Sequence, residues 1–145
     1  MRISVQEGDF DPGAEIADFG AGATVGAVVT FTGIVRDDTG TLQALELEHY
    51  PAMTEGAIAK IAAEAVARWD LADCLVIHRY GRLAVGDRIM MVATASRHRA
   101  AAFAAAEFLM DYLKSRAPFW KKEIGAQGEA WVAAKDADED ALKRW

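Results

Sequence analysis

Residues 96–118 read SRHRAAAFAAAEFLMDYLKSRAP. Ser96 is a helix-capping residue by type, and Pro118 cannot continue a helix. Between them the spacing predicts a helix from Arg97 to about Arg116. Its middle, AAAFAAAEFLM, is apolar nearly all round, so the helix should be central and largely buried. The remaining elements are expected to pack around it.

Working back toward the N-terminus, Arg88–Ala95 and Asp73–Arg82 read as two strands turning at Ala84–Asp87, which contains Gly86-Asp87. A helix is expected from Thr54 to about Trp69, with Ile58, Ile61, Ala62, Ala65 and Val66 as its apolar stripe. Leu42–His49 alternates as a half-buried strand does, and Val25–Val35 is rich in β-branched residues. Arg36–Thr41, RDDTGT, joins them as an exposed, mobile loop. Arg2–Gln6 is a first strand, Asp11-Pro12 starts a short helix running to about Phe19, and Gly20–Gly26 is a turn. Beyond Pro118, short strands are expected at Trp120–Ile124 and Glu129–Ala133, then a charged tail, Asp136–Trp145, with a docking Trp145. Strands and helices mix without strict βαβ repetition. The expectation is an α+β fold, mainly antiparallel, built as a single domain over residues 1–145 with one long buried helix.

Composition excludes several classes. No apolar run approaches the roughly 20 residues of a membrane helix, and MRISVQEGDF does not read as a secretory leader, so a cytoplasmic location is expected. The single cysteine, Cys74, lies in the apolar run CLVI and reads as a buried side chain. No H-E-x-x-H, P-loop, G-x-G-x-x-G or G-x-S-x-G pattern occurs, and no metal or resident cofactor is expected. The formal net charge of −6 argues against nucleic-acid binding. Yet residues 97–122 hold six basic residues against Glu107 and Asp111, a local balance of +4. A basic island in an acidic chain suits one defined anionic ligand.

Three constellations lie in or near that island. Ser96-Arg97-His98-Arg99 puts cations at a helix start, where they oppose the helix dipole unless an anion binds there. The alternative is a solvated turn. Asp111–Glu123, DYLKSRAPFWKKE, alternates cations with large apolar groups. A lysine desolvated beside another cation becomes a proton carrier or nucleophile near neutral pH, and still charged it steadies an oxyanion. The plainer reading is that Lys114 and Arg116 favour a helix C-terminus and Lys122 is a solvated strand residue. Third, Gly33-Ile34-Val35-Arg36 delivers an arginine from a buried strand to a loop; a lone arginine there is otherwise a surface residue. His49 and His78 are weaker candidates.

These segments together resemble the catalytic large subunit of molybdopterin synthase. The matching stretches are FTGIVR at 31–36, LELEHYPAMTE at 45–55, VIHRYGRLAVGD at 76–87, ASRHRAAAFAAAEFLMDYLKSRAPFWKKE at 95–123 and the closing KRW. The resemblance implies an α/β hammerhead fold and an enzyme that converts cyclic pyranopterin monophosphate into molybdopterin, adding two sulfurs as a dithiolene. It implies a small ubiquitin-like partner whose C-terminal Gly-Gly carries the sulfur as a thiocarboxylate. It further implies a homodimer of large subunits within a heterotetramer, with the pterin pocket borrowing residues across the dimer. The family's pocket lysines match Lys114 and Lys121, its helix-start pair matches His98 and Arg99, and the positions after the second lysine match Lys122 and Glu123. Ile34, Val35 and Arg36 fall on its substrate-binding strand end. Some members carry a lysine where this chain has Ile34, which leaves only a backbone contact to expect there. The rivals from other classes are a non-enzymatic module that holds an acidic tail in the same basic pocket, and a phosphoester or acyl-transfer enzyme.

Overall fold

Central strands with long apolar runs demand cover on both faces, and that requirement organises the molecule. The computed structural model describes residues 1–133 and 135–145. In these the chain runs β1 (Arg2–Gln6), α1 (Pro12–Ile16), β2 (Ala27–Ile34), β3 (Leu42–His49), α2 (Pro51–Trp69), β4 (Asp73–Arg79), β5 (Gly81–Ala84), β6 (Arg88–Ser96), α3 (Arg99–Ser115), β7 (Phe119–Gly125), β8 (Gly128–Trp131), α4 (Asp136–Ala141) and a 3-10 turn, Leu142–Arg144.

The strands form two four-stranded sheets, ordered β1-β4-β6-β2 and β5-β3-β7-β8. Among the described residues only the β1–β4 pairing is parallel. In the first sheet β4 and β6 are central. One face meets α2 and α3, through Ile58, Ala62 and Ala65 of α2 and Ala105, Phe108 and Leu109 of α3 against Val76 and Val92. The other face is closed by Phe10 and Phe19 over Leu75, Ile77, Met91 and Ala93. The second sheet has a smaller cluster, Val35, Leu45, Leu47 and Leu83. The α+β class and the antiparallel bias are as the sequence implied. No described helix is long and apolar enough to cross a membrane.

Several boundaries differ from expectation, each for a physical reason. Ser96 does not cap α3. It is the last residue of β6, paired with Ala27 and only 3% exposed, and its carbonyl accepts from the Gly26 N–H at 3.0 Å. Ladder pairing outweighs its capping preference, so α3 begins at Arg99 with His98 as a cap that makes no side-chain bond. Gly26 is required beside it, since a Cβ there would lie 2.3 Å from the Arg97 carbonyl oxygen. Similarly, α2 starts at Pro51 rather than Thr54. Thr54 is fully buried, and its Oγ1 donates to the Pro118 carbonyl at 3.0 Å, tying α2 to the chain just before β7. The strand expected over Asp73–Arg82 breaks after Arg79. Gly81, at φ 88°, turns the chain out of the first sheet and into the second.

α3 is also less enclosed than its composition implied. Ala100, Phe103, Glu107 and Lys114 form an outward stripe, with Phe103 58% exposed. The first sheet, α2 and the C-terminal elements cover the other sides of α3 and leave this one open. The tail docks as expected: the Trp145 ring sits edge-on to Trp69 and Phe108, and its Nε1 donates to Asp111 at 2.6 Å.

Candidate functional site

The C-terminal turn of α3 and the first residues of β7 converge because Pro118 stops the helix and the chain re-enters a sheet at once. Lys114 and Lys121 thereby line one cleft of about 100 Å³, with His78, Phe119, Met90 and Phe31 among its walls. Lys121 follows Phe119 by two positions, so both side chains lie on one face of β7. Lys122 points the other way, where its Nζ lies 3.4 Å from Glu129 and 4.7 Å from the centre of the Trp131 ring.

Electrostatics set Lys121 apart from a surface lysine. Burial, together with the charge and hydrogen bonding of Lys114, pushes the Lys121 ammonium down to about 8; Asp138 pulls weakly the other way. The amine can therefore gain or lose a proton close to neutral pH. His78 is 6% exposed, and burial lowers it to about 4, with Lys121, Lys114 and His49 adding to the effect. Its ring is thus neutral. Nδ1 lies 2.8 Å from the Arg79 carbonyl oxygen, which only accepts, so the proton is on Nδ1 and Nε2 is a bare lone pair. The ring stacks on Phe119 at 3.8 Å and 17°. Little in the sequence singles out His78. It is one histidine in a strand with no motif around it, and its place beside the lysines depends on how the two sheets meet.

The helix-start pair lies elsewhere. His98 and Arg99 are exposed at the N-terminus of α3, which has 17 residues. Arg99 and Lys114 are therefore about 22 Å apart along the axis, at 1.5 Å per residue. One protomer does not bring this pair to the lysine cleft, and the basic island of the sequence is split between two ends of one helix.

Arg36 and Glu123 share a second cleft, of about 420 Å³, whose rim also carries Asp37, Asp38 and Glu129. Arg36 Nε donates to Asp38 at 3.2 Å with both side chains largely exposed. The loop after it is shaped by Asp37, whose carboxylate accepts from the backbone N–H groups of Thr39, Gly40 and Leu42. Ile34 is 55% exposed at the end of β2. Val35 is 3% exposed, with its N–H donating to the Asp87 carbonyl and its own carbonyl accepting from Gly86. Among the described residues, no group of three or more His, Cys, Asp or Glu side chains is arranged to hold a metal ion.

The sequence and the fold both have close relatives. The molybdopterin synthase catalytic subunit of Cereibacter sphaeroides is 66% identical over 146 residues, covering 100% of both chains. A solved molybdopterin biosynthesis MoaE protein from Burkholderia ambifaria superposes with a TM-score of 0.85 at 53% identity, covering 99% of this chain and 96% of that one. A molybdopterin synthase structure from Staphylococcus aureus gives 0.83 at 32% identity, covering 90% and 96%. Residues 5–116 match the family model described as MoaE protein, and with these relatives the match establishes that the chain belongs to the MoaE family of molybdopterin synthase catalytic subunits.

Proposed function

We propose that this chain, acting as one domain, forms the dithiolene of molybdopterin from cyclic pyranopterin monophosphate. Sulfur would come from the C-terminal thiocarboxylate of a small ubiquitin-like partner. The observation that carries the reading is the shared cleft of Lys114 and Lys121, one amine tuned toward neutrality beside another. That is what an acyl-transfer step between two anions requires.

The roles follow from position. The thiocarboxylate sulfur attacks a side-chain carbon of the pterin and that carbon's C–O bond breaks, its oxygen leaving on the opened phosphate ester in one transfer and as water in the other, which links partner and substrate as a thioester. Water then adds to the acyl carbon. Lys114 holds the resulting oxyanion, the carbon–sulfur bond to the acyl group breaks, and the partner leaves as a carboxylate while the sulfur stays on the pterin as a thiolate. Lys121 takes and returns the protons of water addition and ring opening. Two such transfers complete the dithiolene. Arg36, His98 and Arg99 hold the phosphate, with Lys122, Glu123 and the strand end at Ile34 and Val35 bordering the substrate. Since His98 and Arg99 stand about 22 Å from Lys114 in one chain, a second copy supplies them, and the working unit is a dimer with one sulfur carrier at each end.

The test is reconstitution. The protein is mixed with cyclic pyranopterin monophosphate and a thiocarboxylated Gly-Gly partner, and molybdopterin is measured. Formation of product that disappears in Lys114→Ala supports the reading. Absence of product with the unaltered chain, or near-normal turnover in Lys114→Ala, removes it.

A further inference from the structure

One edge of the first sheet is unguarded. β2 pairs with β6 along its length, and among the described residues no strand pairs with its other edge. Exposed edges are ordinarily blunted by charge or proline, because their free N–H and C=O groups recruit further strands. β2 reads AVVTFTGI and has neither. Val28, Phe31 and Ile34 along it are 44%, 43% and 55% exposed. Alternation puts Phe31, opposite Val92, on the face that carries α3, and Val28, opposite Ala95, on the other. The flank of α3 beside this edge is open too. Phe103, Met110 and Lys114 recur at helical spacing on one side of α3, and Met110 and Lys114 line the lysine cleft together with Phe31 and Gly33 of β2. Phe103, 58% exposed, extends that side beyond the cleft. Cleft, apolar flank and strand edge form one continuous surface.

Direction decides what fits there. Ser96 pairs with Ala27 and α3 begins just after it, while Lys114 shares the cleft with Gly33. So α3 runs the same way as β2, with its N-terminus at the Ala27 end. A second copy added antiparallel to β2, about a two-fold axis normal to the sheet, lays the N-terminus of its α3 beside the C-terminus of the first. That axis keeps both helices on one face. Directly opposed residues then share a face, and the residue on the axis opposes its own copy. With Phe31 on the axis, Val28 falls opposite Ile34 of the second copy, and all three exposed apolar residues are covered. With Thr30 on the axis, Ile34 would fall opposite Gly26, outside the strand. The same pairing turns Phe103 toward the facing helix. His98 and Arg99 of each copy arrive at the lysine cleft of the other, where the repulsion among these cations falls once an anion binds.

We propose that β2 is the surface through which two copies of this chain associate. β2 pairs antiparallel with β2 of the second copy, Phe31 against Phe31, so that two four-stranded sheets become one continuous sheet. Each lysine cleft is then closed by the helix start of the other copy. A second copy is the occupant because the edge is uncharged and self-complementary, and because this reversal brings together the cations that one chain splits between the two ends of α3. The part played by the clamp in turnover rests on the function proposed above; the pairing itself does not.

Sedimentation and cross-linking test this without substrate or sulfur carrier. The parent should sediment as a dimer, at twice 15.7 kDa. Val28→Lys puts a charge on the strand edge, and Phe103→Lys puts one between the helices. Each occurs twice in a two-fold interface, so each should raise the dimer dissociation constant about tenfold or more. Phe31→Cys should give a covalent dimer on mild oxidation, since directly opposed Cβ atoms lie about 4.5–5.5 Å apart. Thr30→Cys should give little, because position 30 lies diagonal to its own copy, about 7–8 Å away. Cys74 is buried and does not compete. If a lysine variant does not fold, the cysteine pair carries the test alone. A monomeric parent would overturn the proposal. So would unchanged dissociation constants in both lysine variants, or a Phe31→Cys chain that cross-links no better than Thr30→Cys. A parent that pairs through β2 and makes no molybdopterin refutes the function instead, and leaves the interface standing.

Discussion

The two ends of α3 carry cations in opposite circumstances. At the C-terminal end Lys114 lies with the helix dipole and faces a cleft whose other walls are Lys121, Phe119 and His78. At the N-terminal end His98 and Arg99 lie against the dipole, exposed, with no capping bond from His98. The first end is a finished chemical environment within one chain. The second is costly to the isolated protomer and becomes favourable only when an anion sits in front of it. A helix stabilised for its own sake would carry acidic rather than basic residues at that N-terminal end. On the function proposed above, the contrast separates what one chain does by itself from what it does as half of a pair.

The largest expected effect is at the finished end. Lys114→Ala should lower kcat for molybdopterin formation by about 10²–10³-fold, the cost of removing one oxyanion donor. Lys114 is exposed, so its loss should leave the thermal midpoint nearly unchanged. At the other end, Arg99→Ala should cost about 10–100-fold, mostly in KM, as expected for one charge-assisted bond to phosphate. Mixing the two impaired proteins, with substrate held well below the raised KM of Arg99→Ala, sharpens the comparison. If each site takes its lysines from one chain and its clamp from the other, a mixed dimer has one doubly altered site and one intact site. Random pairing then restores about a quarter of parental turnover. If both ends serve one site within one chain, mixing restores nothing.

Much of this was legible beforehand, and the misses share a cause. The limits of β1 and β3 follow from strand patterning alone, because alternation along Leu42–His49 is local. Lys114 and Lys121 stand out in the sequence because cations alternate with large apolar groups along Asp111–Glu123 and because the family's pocket lysines match them. Ser96 and Thr54 misled because their hydroxyls favour caps locally, whereas in the fold one is claimed by the β2–β6 ladder and the other by the Pro118 carbonyl. The break at Tyr80-Gly81 was hidden because the chain changes sheets without losing its strand character. His78 was hidden most deeply, since its meaning depends on Phe119, 41 positions away in sequence, lying flat on it. Non-local pairing overrides local preference wherever a residue is claimed by a second element.

Lys121 offers a thermodynamic version of the comparison. Its ammonium is held at about 8 in the folded chain against 10.5 for an ordinary lysine. Below about 8 both folded and unfolded chains are protonated, and the full cost of burying the charge is present. Between about 8 and 10.5 the unfolded chain binds the extra proton, so this group's contribution to stability improves as pH rises. Denaturant unfolding of the parent and of Lys121→Met, compared at about pH 7.5 and about pH 10, should show the parent gaining roughly 2 kcal/mol on the variant. A pH-independent difference would mean that Lys121 is not desolvated in the cleft. Lys114→Ala should raise the Lys121 midpoint only part of the way, since burial is the larger cause.

The smallest effect falls on the hinge that joins the two ends. Thr54 Oγ1 bonds the carbonyl of Pro118, the residue between the end of α3 and the start of β7. Thr54→Val keeps the shape and removes the hydroxyl, leaving the carbonyl without that donor. The expected cost is about 1–2 kcal/mol of stability, from one lost buried hydrogen bond. That bond fixes where the chain leaves α3, and so fixes the spacing of Lys114 and Lys121. The variant should therefore also disturb the cleft while sparing the helix start. Lys121 should titrate closer to an ordinary lysine as the pair separates, and the affinity contributed by Arg99 should be unchanged. If Thr54→Val instead weakened phosphate binding and left Lys121 titration as it was, the two ends would not be independent. The division between a site complete in one chain and a clamp awaiting its partner would then fail.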